Sequence, residues 1–213
     1  MLPALRYGTL KASMDTLSEV REFEQNRGIA SNLPKLPPPD YITIDKLTRL
    51  DAARHKGARM ALPEFPVEGG CQCGAVRYRL KASPLTVYSC HCKDCQRFSG
   101  AACSISMIVR KEDFEVLSGQ TVRYDRKAES GNVTAANFCA HCYGWLWNVP
   151  ATPGITVVRA GTLDNMDWAE PIGNIWTDSK AAWVKIDPEL VNFPKQAVDR
   201  TPLFDAWTRH NQR

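Results

Sequence analysis

The sequence predicts a mainly β fold of antiparallel strands, preceded by a helical N-terminal extension. Three observations predict it. From Gly69 onward, short apolar runs are separated by turn residues, a spacing that suits an antiparallel sheet or sandwich and not a βαβ succession. Seven of the eight cysteines fall into three tight groups within that region. The first 65 residues carry no cysteine and show a helical pattern.

The extension, residues 1–65, reads as two short helices joined by a stiff linker. Thr16 to Glu19 has the form of a capping box, with Leu17, Val20 and Phe23 following at helical spacing and Gly28 as the stop. Pro34, Pro37, Pro38 and Pro39 hold the next stretch extended. A second helix is expected from Ile44 to Lys56, with Ile44, Leu47 and Leu50 on one face. Two short amphipathic helices cannot bury their apolar stripes alone. They are expected to dock on the main domain or on a second subunit, which would give a homodimer through the extension.

Residues 66–190 form the predicted main domain. Val76, Tyr78 and Leu80 alternate within a strand over Ala75 to Leu80. Further strands are expected at Ala102–Val109, Asp113–Leu117, Val122–Tyr124, Val133–Phe138, Leu146–Asn148, Thr156–Ala160 and Gly173–Thr177. Ser118-Gly119 and Ser130-Gly131 punctuate them. Residues 191–213 form a Pro-interrupted C-terminal tail, with a short helix expected over Leu203–Trp207.

Composition narrows the function classes. With 44% apolar and 23% charged residues the chain is ordinary globular material, and at 213 residues its core needs no staple to fold. The formal charge is +4 with cysteine counted as neutral. Seven thiolates and two dications would bring it to about +1. No strongly cationic run is present, so a nucleic-acid partner is not expected. No segment approaches the ~20 apolar residues of a membrane span. Met1 to Met14 lacks acidic residues but also lacks the apolar core of a signal peptide. A reducing, cytoplasmic location is therefore expected, where clustered cysteines read as metal ligands before disulfides.

The cysteine groups read Cys71-x-Cys73, Cys90-His91-Cys92-x-x-Cys95 and Cys139-x-x-Cys142. Thiolates this close in sequence converge on one ion without moving distant backbone. Seven is one short of two complete four-sulfur zinc sites. Zinc with four protein ligands is closed and structural, whereas zinc with three keeps a position for water or substrate. One partition joins Cys71, Cys73, Cys139 and Cys142, leaving Cys90, Cys92 and Cys95 together. The other joins Cys71, Cys73, Cys90 and Cys92, leaving Cys95, Cys139 and Cys142. The first is preferred, because three sulfurs so close in sequence are hard to divide between two ions, but spacing alone leaves both open. A closed second site, with His91, His141 or an aspartate as fourth ligand, is the alternative to a reactive one.

Gly70-Cys71-Gln72-Cys73-Gly74, Ser89-Cys90-His91-Cys92-Lys93-Asp94-Cys95-Gln96-Arg97-Phe98-Ser99-Gly100 and Phe138-Cys139-Ala140-His141-Cys142, with Trp145 close behind, resemble the glutathione-dependent formaldehyde-activating enzyme family, also called the GFA or CENP-V domain family. Trp176-Thr177-Asp178-Ser179-Lys180-Ala181-Ala182-Trp183 resembles its closing motif. The resemblance runs from about Pro66 to Pro188. It implies an Mss4-like zinc-binding β fold, structural zinc at Cys71, Cys73, Cys139 and Cys142, and a second, reactive zinc at Cys90, Cys92 and Cys95. It implies carbon–sulfur lyase chemistry, in which a small thiol such as glutathione adds to or leaves an aldehyde carbon. Departures from the family pattern are Tyr143 where Gly usually stands, Asn174 where His often stands, an additional thiol at Cys103, and the whole extension.

Three thiolates leave a zinc ion only weakly Lewis acidic, but such a centre still holds an incoming thiol as thiolate, which then attacks an aldehyde. Ser99 and the amides around Gly100 are candidate oxyanion donors, against plain turn structure. His91 is a candidate proton relay, against a hydrogen-bonding support. Arg97 is a candidate ligand for a carboxylate of a glutathione-like thiol; for it, as for Asp94, the alternative is an exposed loop charge. Cys103 is expected as a small buried hydrophobe. Trp145, Trp147, Trp176 and Trp183 are expected in the sheet core. The competing reading, from another class, is a zinc-scaffolded protein-interaction module without catalysis.

Overall fold

The computed structural model describes residues 60–128 and 131–212. The expected helices at Thr16–Gly28 and Ile44–Lys56, and any dimer contact through them, lie outside the described residues. The strands are β1 (Val67–Gly70), β2 (Arg77–Leu80), β3 (Thr86–Cys90), β4 (Ser104–Arg110), β5 (Phe114–Ser118), β6 (Thr121–Lys127), β7 (Val133–Cys139), β8 (Trp145–Val149), β9 (Ile155–Arg159), β10 (Gly173–Ile175) and β11 (Val191–Asn192). Among the described residues two α-helices accompany them, α1 (Lys93–Ser99) and α2 (Thr201–Asn211).

A small sheet has the order β1-β2-β5, and a large one the order β11-β10-β3-β4-β9-β8-β7-β6. The fold is mainly β, as expected. The expectation of purely antiparallel sheets needs one correction: β10 pairs in parallel with both β3 and β11. A strand that returns after a long excursion can enter beside β3 in either direction, which hairpin-connected strands cannot.

The core lies between the two sheets. Tyr78, fully buried on β2, sets its ring 6.3 Å from Trp147 of β8 and 5.5 Å from Phe114 of β5. Its hydroxyl meets Thr162 Oγ1 at 2.8 Å, so the buried polar tip is satisfied. Phe65, the last residue of the expected extension, packs edge-on against Trp168 at 5.9 Å. Trp145, Trp147 and Trp176 are buried as expected; Trp183 instead is 76% exposed.

The expected strands coincide with β2 and β4–β10, and none is expected at β1, β3 or β11. All five β3 residues are buried, and they mix Thr, Val, Tyr, Ser and Cys without a period of two. Such a strand is covered on both faces, so no polar face remains to create alternation. Part of that cover is α2, whose Leu203 carbonyl accepts the Thr86 hydroxyl at 3.1 Å. The C-terminal residues thus join the main sheet through β11 and cover it through α2. Gly173 permits the approach: a Cβ there would stand 2.5 Å from Leu203 and 2.7 Å from the Val191 carbonyl.

Candidate metal centres and the adjoining cavity

Cys71 and Cys73 occupy the turn between β1 and β2, closed by Gly74 N–H to the Cys71 carbonyl at 3.0 Å. Cys139 ends β7, and Cys142 lies in the turn before β8, where Tyr143 N–H meets the Cys139 carbonyl at 3.0 Å. The β5–β6 corner holds the two turns together. Gln120 O accepts from Ala140 N–H at 3.0 Å. Gly119, at φ +90°, lies so close to Ala75 that a Cβ would stand 2.2 Å from its carbonyl oxygen. Only glycine combines that φ with that approach.

The four sulfurs of Cys71, Cys73, Cys139 and Cys142 all lie within 4.8 Å of one another. Cys71 and Cys73 are 3.4 Å apart, Cys73 and Cys139 3.7 Å. Zinc–sulfur bonds of about 2.3 Å at tetrahedral angles need sulfurs roughly 3.8 Å apart, so the group fits such an ion. Backbone N–H groups of Val76 and His141 point at Cys71 Sγ (3.2 Å) and Cys139 Sγ (3.3 Å), favouring thiolates. Burial works against the Cys71 thiolate, but the Val76 N–H and the neighbouring thiols outweigh it and bring its pKa down to about 6.

The second group is Cys90, Cys92 and Cys95, whose sulfurs also lie within 4.8 Å of one another, all buried. Cys90 ends β3. Cys92 is the N-cap of α1, its sulfur accepting from Cys95 N–H at 3.4 Å, and Cys95 lies in the first turn. The segment is therefore a strand end and a helix start rather than a long loop. Hydrogen bonds from the Cys90 and Cys92 thiols, together with the positive charge of Arg159, hold Cys95 far below the ordinary thiol range despite its burial. The same sharing pushes Cys90 well up. Three sulfurs that favour one shared negative charge when metal-free are suited to a cation. Among the described residues, no fourth His, Cys, Asp or Glu joins this group.

The residues of the closing motif clasp this segment. His91 N–H donates to the Ile175 carbonyl at 3.0 Å, and Gln96 Nε2 bridges the carbonyls of His91 (2.7 Å) and Ser179 (2.9 Å). His91, 2% exposed, sets Nε2 3.0 Å from Asn174 Oδ1. Asn174 in turn donates to Asn192 Oδ1 at 2.9 Å, which fixes its amide orientation and puts the imidazole proton on Nε2.

Cys90, Cys92 and Cys95 face a cavity of about 130 Å³. Trp176, left-handed at φ 61°, forms one wall, its indole N–H donating to Gln196 Oε1 at 3.3 Å. The arginines reaching this cavity are Arg126, Arg159 and Arg200. Arg97 is exposed and lines a different groove with Phe98 and Tyr124. Arg159 is 6% exposed. Its guanidinium stacks 4.0 Å above the Trp145 ring and donates to the hydroxyls of Ser104 (3.2 Å) and Ser106 (2.8 Å). Asp94 is engaged by Arg126. Ser99 caps its own helix, donating to the Cys95 carbonyl at 2.7 Å, which is its turn role rather than an oxyanion role. Cys103 belongs to neither sulfur group and is half-buried, its thiol pushed up by burial. Sequence patterns passed over Arg159. The available signal was a cation ending the apolar run Ile155–Val158 with no acidic residue beside it.

Residues 66–179, just over half of the chain, match the sequence profile of a family described as glutathione-dependent formaldehyde-activating enzyme. A protein of Halomonas elongata that carries this same name provisionally is 27% identical over 128 residues, covering 57% of this chain and 81% of its own. A Rhodobacter sphaeroides protein of solved crystal structure aligns over 59% of this chain and 98% of its own, at 18% identity and a TM-score of 0.39. Among the described residues, no helix is long and apolar enough to cross a membrane.

Proposed function

The chain belongs to the glutathione-dependent formaldehyde-activating enzyme family, and on that footing we propose that it is a zinc-dependent carbon–sulfur lyase or synthase acting on a thiol–aldehyde adduct such as S-hydroxymethylglutathione or a related conjugate. The observation that carries this reading is the uneven sharing of sulfur. Four cysteine sulfurs gather about one position, while Cys90, Cys92 and Cys95 gather as three and line a cavity.

In this reading Cys71, Cys73, Cys139 and Cys142 hold a structural zinc that ties the β1–β2 turn to the β7–β8 turn. Cys90, Cys92 and Cys95 hold the reactive one. When bound there, zinc supplies positive charge that favours the thiolate form of an incoming thiol, which is otherwise mostly protonated at neutral pH with a pKa of about 8.5. The reaction joins the thiol sulfur to the aldehyde carbon, and its reverse releases thiol and aldehyde from the hemithioacetal.

This chain's own residues supply positioning and charge. Tyr88 and Trp176 wall the cavity and limit water beside the reacting sulfur. Arg159 places a buried positive charge next to three thiolates that, with one dication, retain a charge of about −1. His91, held by Asn174, orients the strand end that carries Cys90 and Cys92. At about 130 Å³ the cavity takes the reacting end of a substrate, below the ~300 Å³ at which sites for whole drug-sized ligands begin. Clustered cysteines that serve as metal ligands fit a reducing compartment, the cytoplasm.

The test is adduct formation followed by NMR. Zinc-loaded protein is mixed with formaldehyde or larger aldehydes and a panel of thiols. At least one pair is expected to equilibrate faster than without protein, with Cys92→Ser abolishing the gain. No acceleration with any pair would leave the scaffold reading in its place.

A further inference from the structure

Resting on the function proposed above, we infer that the cavity recognises a carboxylate of its thiol substrate, and that Arg200, supplied by the C-terminal segment outside the family match, selects for it. The first ground is charge. Arg126, Arg159 and Arg200 all line the cavity, and the one carboxylate among its lining residues is Asp94. Asp94 is taken by Arg126. Arg159 gives its terminal nitrogens to Ser104, Ser106 and the Val157 carbonyl and stacks on the Trp145 face, with its buried Nε left over. Among the described residues, no acidic side chain pairs with Arg200. With zinc on the three sulfurs the cavity carries a charge of about +1 before substrate enters, so its field favours an anionic thiol. A guanidinium matches a carboxylate with two parallel N–H groups, so it discriminates by geometry as well as charge.

The second ground is placement. The family match ends at residue 179, whereas Arg200 follows the segment that adds β11 to the sheet. That segment is fixed by backbone bonds on both sides of the cavity wall. Phe193 N–H meets the Asn174 carbonyl at 2.9 Å, and Trp176 N–H meets the Lys195 carbonyl at 3.1 Å. Past Arg200, α2 is anchored on β3 by the Thr86 hydroxyl. Arg200 is thus held at the cavity from both directions, and its partial burial lowers the dielectric around it. Its side chain makes no capping bond to α2, so its removal leaves that helix end as it is.

Binding of glutathione and of glutathione dimethyl ester to the zinc-loaded full-length protein tests this by calorimetry. The free acid should bind about tenfold tighter than the ester. Arg200→Gln should reduce that preference to about twofold without changing ester affinity or melting temperature, and Arg200→Lys should restore part of it. Equal binding of acid and ester by the unaltered protein, no binding of either, or an Arg200→Gln variant that weakens both alike would overturn the inference. Binding is read without turnover. A protein that prefers the acid yet accelerates no adduct formation would refute the proposed reaction and leave the carboxylate site standing.

Discussion

His91 Nε2 lies 3.0 Å from Asn174 Oδ1, joining the segment between two candidate metal ligands to a strand far along the chain. Asn174 sits where the family often has His. Its amide serves two partners at once: Oδ1 accepts from His91 while Nδ2 donates to Asn192 Oδ1 at 2.9 Å. Asn174→Ala leaves the buried His91 Nε2–H unpaired and gives the exposed Asn192 Oδ1 over to water. A destabilisation of about 1–3 kcal/mol is expected from chemical denaturation, with weaker metal retention at Cys90, Cys92 and Cys95.

Removing Arg159 should be felt at one metal centre and not at the other. Arg159→Met keeps an apolar contact to Trp145 but deletes the buried charge beside Cys95. Zinc affinity at the three-cysteine group should fall about tenfold, as for other residues that support ligands from behind. The four-cysteine group should be unaffected. Chelator competition followed by metal analysis separates the two, and an equal fall at both would refute a local electrostatic role.

Cys139→Ser and Cys92→Ser should behave differently. Cys139 is fully buried where the β7–β8 turn meets the β1–β2 turn, so its loss is expected to cost folding, read as lost near-UV dichroism. Cys92→Ser should cost one zinc per chain and all activity while leaving the fold. Similar collapse of both variants would remove the division into structural and reactive sites.

Tyr143 stands at φ 56° and is 70% exposed, directly after Cys142, where the family usually has Gly. An L-residue in that conformation costs roughly 1–2 kcal/mol, against roughly 0.5–1 kcal/mol of backbone entropy for glycine. Tyr143→Gly is therefore expected to stabilise the protein by about 0.5–1 kcal/mol, although it removes a large side chain. Thermal unfolding of the zinc-loaded protein measures it; a lowered midpoint would show that the tyrosine ring contributes more than its backbone costs.

Much of the fold was legible because alternation survives wherever one face of a strand meets a different environment from the other. Val76, Tyr78 and Leu80 are buried to 0% exposure, and the expected strands over β4 to β9 appear within a few residues of their places. β3 offers no alternation because both its faces are covered; β8 short of its exposed last residue, and β10 throughout, are buried too, but lie between turn signals that set them off. The seven-residue α1 leaves no signal of its own, since metal-type spacing and a short helix start look alike in sequence.

The sequence by itself determined the sulfur inventory and its grouping. Chelating spacings are local: Cys71 meets Cys73, Cys90 meets Cys92 and Cys139 meets Cys142 whatever the rest of the chain does, whereas the tertiary structure decided that Cys95 stays with Cys90 and Cys92 and that the outer two pairs share one site. Only the tertiary structure decided what the sulfurs face. Arg126, Arg159 and Arg200 come from three separated segments and share no local pattern. Their convergence depends on strand order and on the parallel entry of β10 and β11. Charges close in space but far apart in sequence leave no periodic trace, so the electrostatic character of the cavity is a property of the fold.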